Sequence, residues 1–531
     1  MSNVAVAVIP DSAAAGHRPL LAALEQAYPV RFMGGGDDGL AAAAAVIVFP
    51  DGRLPERLGV PSLVLQGEPA AGAPPFQVRM HEHDRLARAL RGQRLVERTA
   101  PPPRPLAPAA GQEVLAEVGD APVWLRADDG GVARETAAAA PPALGHGDLL
   151  RDHLAAGRFW SLLPIVHFLQ GVCGKRVDQP LRACFVIDDP NIRFSSYGSV
   201  RYRELAADAR EHGYHVAVAT IPLDLTLPGH RAAAVFREHP RRLSLVVHGN
   251  DHVRLELERA RSERDADRLV TTAIARVERF ERRAGLRIER VMCPPHGGCS
   301  PATLRSLFAH GFLGLAASRP FPWNGFAEQD QWPAAGWLPA QLAGGLPVLP
   351  RYSLANDLDD LVFRALLGGP LIIYCHQADL QAGLDPFREA AARAAGLGDV
   401  EWTSLAEIAR RNVSVHDSGE LATVTLYSRD ARVCRPRAPR LSIVVPRIYA
   451  PGQAPALWVD GVAHDVEPLP DGRGAVTIAN DHGGELLRVR LVTADGATRA
   501  DVAAGRPGAW PLARRAMTEC RDRWKPKLAS R

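Results

Sequence analysis

Four short runs in this sequence end an apolar stretch in residues that can move protons or hold a metal. The first is Cys184-Phe185-Val186-Ile187-Asp188-Asp189-Pro190-Asn191. Adjacent carboxylates repel unless a cation or a proton intervenes, so the pair suits one metal-binding group and one base. The second run, Leu243 to Val247, ends in His248-Gly249-Asn250-Asp251-His252. Histidines four residues apart reach one metal from a helical turn or a tight loop, with Asp251 placed to support them. The third is Val291-Met292-Cys293-Pro294-Pro295-His296-Gly297-Gly298. A rigid Pro-Pro followed by Gly-Gly holds backbone N–H groups in a fixed direction, as an oxyanion requires. Cys293 and His296 are themselves candidates for metal binding or acid–base work. The fourth run, Leu371-Ile372-Ile373-Tyr374-Cys375, ends in His376. If the strands are parallel, their ends share one rim. One carboxylate and two histidines there make a three-ligand site with an open position for water, the catalytic kind of zinc centre.

The elements that must carry these runs are strands alternating with helices. From Leu181 to Asn412, strands are expected at Ala183–Ile187, His215–Thr220, Leu243–Val247, Arg290–Met292 and Leu371–Cys375. Helices are expected at Tyr202–Glu211, Asp265–Arg283 and Pro301–His310. This repeat predicts an α/β fold with a parallel sheet or (β/α) barrel over residues 181–412. Residues 1–99 predict a smaller α/β domain, with strands at Val4–Ile9, Val30–Met33, Ala45–Phe49 and Ser62–Leu65 and a helix at Arg18–Ala27. Gly34, Gly35, Gly36 and Gly39 form no GxGxxG and read as a turn. Residues 100–180 read as a linker region. The Pro-rich run Ala100–Gly111 marks a boundary, a hairpin follows at Glu113–Glu117 and Pro122–Leu125, and a long helix from Asp148 to Val172 is kinked at Pro164. Residues 413–498, with short strands and Gly/Pro/Asp turns, predict an antiparallel β-sandwich. Residues 499–531 read as a basic, solvated tail.

Composition sets the class without giving the chemistry. Of 531 residues, 47% are hydrophobic and 23% charged, with a net charge of +4, so neither a membrane-embedded chain nor a nucleic-acid binder is expected. No stretch reaches the length of a transmembrane span. No Lys or Arg precedes Val4–Ile9, which reads as a buried strand rather than a secretory leader. The seven scattered cysteines include no CxxC pair and are expected to be reduced thiols in a cytoplasmic protein.

In kind and order, the four runs resemble the motifs of the polysaccharide deacetylase family (NodB homology, carbohydrate esterase family 4). The resemblance covers roughly Leu181–Asn412, under half the chain. The family's Thr-Phe-Asp-Asp-Gly is similar to Val186-Ile187-Asp188-Asp189-Pro190, and its His-(Ser/Thr)-x-x-His to His248-Gly249-Asn250-Asp251-His252. Its Arg-Pro-Pro-Tyr-Gly is similar to Cys293-Pro294-Pro295-His296-Gly297, and its late Leu-x-His to Tyr374-Cys375-His376. The resemblance implies a distorted (β/α) barrel, one divalent ion, most simply Zn2+, on Asp189, His248 and His252, and Asp188 as general base. It implies His376 as general acid, the His296 N–H at the oxyanion, and Asn191, Pro295, Trp323 and Tyr374 around the substrate.

The chain departs from the family at four positions. Cys293 stands where the family has the Arg that orients the base, His296 where it has Tyr, Pro190 where it has Gly, and Tyr374 where it has Leu. The implied reaction removes an N- or O-acetyl group from a sugar, glycan or glycan precursor, alongside surface-polysaccharide biosynthesis enzymes. The competing expectation is a non-catalytic carbohydrate-binding or assembly protein on the same scaffold. A glycoside hydrolase using both aspartates ranks last, because adjacent carboxylates do not straddle a glycosidic bond.

Overall fold

The computed structural model describes residues 4–529 except 56–57, 71, 146, 174–179, 227–228, 327–331, 344, 446–455, 470–472, 482–483, 493–502 and 507. The chain forms two compact units. One comprises Met1–Arg176, Ala327–Leu338 and Asp357–Leu367; the other comprises Val177–Phe326, Pro339–Asn356 and Gly368–Arg531.

The first unit is built on a nine-stranded sheet. Val30–Gly34, Val4–Ile9, Ala45–Val48 and Ser62–Leu65 run parallel in that order. Ala45–Val48 is buried along its whole length, as a strand covered on both faces must be. The expected helix Arg18–Ala27 forms and turns Leu20, Leu21, Ala23 and Leu24 inward. The Pro-rich run Ala100–Gly111 is not a domain boundary. The chain returns after it through Glu113–Val118, Ala121–Asp129 and Val132–Ala137, and the last of these pairs in parallel with Ser62–Leu65. The long helix expected from Asp148 is also corrected. A short 3-10 turn covers Leu150–His153, and the helix spans only Leu163–Val172. Pro164 lies in its first turn, where a missing N–H costs nothing, so this proline starts the helix and does not kink it.

The second unit carries a ten-stranded sheet. Its path runs Gln341–Ala343, Leu346–Pro350, Gly314–Ala317, Glu289–Met292, Leu243–Val247, Val216–Thr220, Leu181–Asp188, Leu371–His376 and Tyr352–Ser353. Val400–Trp402 also pairs with Leu181–Asp188. All neighbours are parallel except Gln341–Ala343 with Leu346–Pro350. No pairing among the described residues closes the path into a barrel. Helices Tyr202–Glu211, Glu263–Ala284 and Pro301–Ala309 lie within a residue or two of expectation.

The β-rich region of this unit holds two sheets, of five and four strands, around Leu441, Ile443, Leu457, Leu487 and Val489. It is not wholly antiparallel, since Leu421–Leu426 pairs in parallel with Arg440–Val445. The solvated tail is corrected as well. A helix spans Ala509–Ala529 and buries Arg515, Glu519 and Asp522.

Candidate metal centre

Asp188, Asp189, His248, Cys293, Arg351 and His376 stand at strand ends, and the sheet still grips them there. The N–H groups of Asp189, His248, Cys293 and Arg351 donate to the carbonyls of Ala219, Thr220, Val247 and Ala317 on the neighbouring strands, at 2.8–3.2 Å. These residues are therefore fixed by the same ladder that pairs the apolar strands beneath them. Asp188 lies directly opposite His376 in the strand register.

Asp189, His248 and His252 offer one ligand atom each, all within 4.8 Å of one another. His248 Nδ1 lies 2.8 Å from the Cys293 carbonyl. A carbonyl oxygen only accepts, so Nδ1 carries the proton and Nε2 is left bare toward Asp189. That Nε2 is 3.6 Å from Asp189 Oδ1, and His252 Nε2 is 3.1 Å from it. Asp189 Oδ1 is buried and lacks an aligned hydrogen-bond donor. A buried carboxylate oxygen beside a bare imidazole nitrogen is costly for a protein alone. It fits a divalent cation, and the donor set, one carboxylate and two imidazoles, suits zinc. Burial pushes the His248 ring down to about 4, so it is neutral at physiological pH, as a metal ligand must be. Burial would lift the Asp189 carboxyl, but the His252 ring beside it and the Arg515 charge outweigh that and hold the group well below the usual carboxylate range.

The loop carrying His252 is held by a residue that sequence reasoning did not single out. Buried Glu256 accepts the N–H groups of Asn250, Asp251 and His252 at 2.7, 3.0 and 3.0 Å. Gly249 has φ of +65°, and a Cβ there would lie 2.2 Å from Glu256 Oε1 and 2.5 Å from Pro295 Cγ. No other residue type fits that position. Asp189, His252, Leu255 and His296 all adopt left-handed backbone conformations, which only Asp51 and Asp460 share among the described non-glycine residues. Such concentration of unfavourable backbone marks a place that the surroundings hold in shape.

Asp188 is clamped by Arg351, the main residue missed from the sequence. Its guanidinium is fully buried and binds Asp188 Oδ1 at 2.8 Å. It also lies 4.7 Å from the Tyr374 ring centroid. Burial alone would raise the Asp188 carboxyl; the Arg351 guanidinium, as a charge and as a hydrogen-bond donor, reverses that and holds the group below the usual carboxylate range. Arg351 follows the strand Leu346–Pro350, so the signal was an arginine after an apolar strand, outside any expected motif. It supplies the guanidinium that Cys293 cannot. Burial pushes the Cys293 thiol up to about 12, which removes it as a thiolate ligand or an acid–base group at neutral pH.

The remaining expected residues are placed as follows. His376 is exposed at the rim; its N–H donates to Asp379 Oδ2 at 2.8 Å, which fixes the turn after the strand. His296 is exposed, its ring centroid 5.6 Å from that of His252. Asn191 is buried, and its Oδ1 accepts from Arg193 N and Arg523, while Pro295 packs on Gly249. Trp323 is buried edge-to-face with Phe321 and Phe326. All three side chains are buried, and Asn191 Nδ2 has no hydrogen-bond partner among the described residues. Tyr374, half-buried beneath Arg351, is the one of the four expected substrate residues that keeps an open edge.

No family model and no curated protein matches the sequence. Among solved structures, the chain is similar to Agd3, described as a novel carbohydrate deacetylase. The match has a TM-score of 0.47 and 11% identity, over 92% of this chain and 98% of that one. It is also similar to a putative polysaccharide deacetylase from Mycobacterium smegmatis, at 0.29 and 15%, over 44% of this chain and 90% of that one. A family 4 carbohydrate esterase from Streptomyces lividans matches at 0.25 and 13%, over 41% and 87%. At these scores neither fold nor reaction is transferred, and the candidate metal centre stands on its own geometry.

Proposed function

We propose that the chain is a metal-dependent carbohydrate deacetylase acting on an N- or O-acetylated sugar, glycan or glycan precursor. One observation carries this reading. An ionised, arginine-clamped carboxylate, Asp188, adjoins a three-ligand cradle of Asp189, His248 and His252. In this reading the open strand path is the distorted barrel of that family, with the site on its rim.

Asp189, His248 and His252 would hold a divalent ion, most simply zinc, which when bound would supply the Lewis acidity to lower the pKa of a water and polarise an acyl oxygen. Asp188 accepts the proton of the attacking water, and Arg351 keeps it ionised and aimed. The His296 N–H, presented by its left-handed turn, is a donor for the oxyanion. His376, exposed opposite Asp188, returns a proton to the departing amine or alcohol. Water and the acetylated substrate thus yield acetate and a free amino or hydroxyl group.

The test is acetate release from a panel of N- and O-acetylated mono- and oligosaccharides by the zinc-loaded protein. Release that is lost in Asp188→Asn supports the reading. No release across the panel, with zinc bound, refutes it and leaves the non-catalytic alternative.

A further inference from the structure

The helix Ala509–Ala529 is oriented opposite to an ordinary surface helix. Among the described residues, its charged side chains other than Arg521 face the protein. Arg515 pairs with Asp224 at 2.6 Å with both groups buried, and Glu519 pairs with Arg193 at 3.2 Å. Asp522 accepts from the Tyr197 hydroxyl at 3.0 Å, and Arg523 donates to Ser196 O at 2.8 Å. Its large apolar residues face away, with Trp510 66%, Met517 57% and Trp524 67% exposed. Successive members are seven residues apart, so they form one stripe along the helix. Ala513 and Cys520, also exposed, lie between them on the same face. An apolar stripe of this kind, on a helix already anchored by buried ion pairs, needs a partner.

Charge identifies that partner. The only acidic residues of the helix, Glu519 and Asp522, are both buried on the inner side. The outer side therefore shows no carboxylate, while Arg506 just before the helix is exposed and Arg521, which pairs with the buried Asp522 at 2.8 Å, still keeps 61% of its side chain exposed. A second copy of the chain would bring Arg506 and Arg521 of both copies together with no exposed carboxylate of either helix to offer across the interface. An anionic bilayer offers phosphates to the arginines and an interface that tryptophan favours. We propose that this face docks the protein peripherally on an anionic lipid surface. No helix of the described residues is long and apolar enough to cross a membrane. The inner side of the same helix donates from Arg514 to the His252 carbonyl and from Arg523 to Asn191, so lipid docking and the metal centre share one element. The proposal does not depend on the deacetylase reading.

The experiment is sedimentation of the full chain with large vesicles, of phosphatidylcholine alone or with about a third phosphatidylglycerol. Binding is expected to the anionic vesicles, to fall with salt, and to weaken about tenfold or more in a W510S/M517S/W524S variant. The substituted side chains are exposed, so the variant should keep the wild-type melting temperature, which certifies its fold. A second variant, R506Q/R521Q, should weaken anionic binding and leave the apolar stripe intact. Three outcomes overturn the proposal: no binding to anionic vesicles, equal binding to neutral ones, or unchanged binding in the triple variant. Self-association in ultracentrifugation that the triple variant abolishes, without vesicle binding, would assign the face to a second copy instead.

Discussion

Each unit buries carboxylates that lie below their usual pKa, yet only one set has the form of a chemical site. In the first unit, Glu97 is saturated. Its Oε1 accepts from Thr99 N, Thr99 Oγ1 and Ala100 N, and its Oε2 from Phe159 N and Trp160 N. In the second unit, Asp188 has the single clamp of Arg351, and Asp189 Oδ1 faces imidazole nitrogens without an aligned donor. Both Glu97 and Asp188 are held down against the pull of burial. The shift alone therefore does not distinguish them. Hydrogen-bond saturation does, because a carboxylate whose lone pairs are all taken by backbone N–H groups is a brace, and one left partly open can take a proton or a metal.

The largest effect expected is at Asp188. Asp188→Asn should lower kcat/KM for acetate release by about 10²–10⁴-fold, the usual worth of a positioned base, while zinc content stays near one per chain. Zinc loss in this variant would show that Asp188 is a ligand and erase the division of labour between the two aspartates. Arg351→Met comes next. Without the guanidinium, burial dominates and the Asp188 carboxyl rises. A base must be ionised, so activity is lost as pH falls through its pKa, and the acid limb of the kcat/KM profile should move to higher pH. Arg351→Lys should restore part of the shift. An unmoved limb in Arg351→Met would detach Arg351 from the base. A third effect, in binding rather than rate, is at His252. His252→Ala should weaken zinc affinity at least about tenfold, read by competition with a chelator.

These sites were legible to different degrees, for physical reasons. Asp188, Asp189, His248 and His376 each break the polarity of a buried strand at its end, and His252 follows His248 by four residues, a pattern visible in one dimension. The strand Leu243–Val247 and the helix Tyr202–Glu211 match expectation residue for residue, because local periodicity fixes them. Arg351 joins Asp188 across 163 positions of sequence, and nothing local announces such a pairing. The nine-stranded sheet was missed for the same reason, since Ser62–Leu65 pairs with Val132–Ala137 beyond a Pro-rich run that reads as a boundary. The final helix defeats the usual pattern outright. Its inner face is charged and its outer face apolar, the reverse of what amphipathicity leads one to expect.

The smallest effect on activity, and the sharpest contrast with Asp188, is expected at Glu97. Glu97→Gln replaces one acceptor oxygen with an NH2 group, so some of the N–H donors of Thr99, Ala100, Phe159 and Trp160 lose their partner. An orphaned buried donor costs about 1–3 kcal/mol, so the melting temperature should fall measurably. Acetate release per folded molecule should not change, because no atom of Glu97 reaches the metal centre through any of these bonds. The pH dependence of stability gives a second reading. The folded pKa of Glu97 is lowered, so its stabilisation is fully present above the unfolded carboxyl pKa and is lost as pH falls through the folded value. The wild type should therefore lose more stability than Glu97→Gln on acidification below about pH 4.3. The gap in melting temperature between the two proteins should narrow there. A constant gap would mean that Glu97 is not held as a carboxylate. A fall in turnover per folded molecule would mean that saturation does not separate a brace from a site.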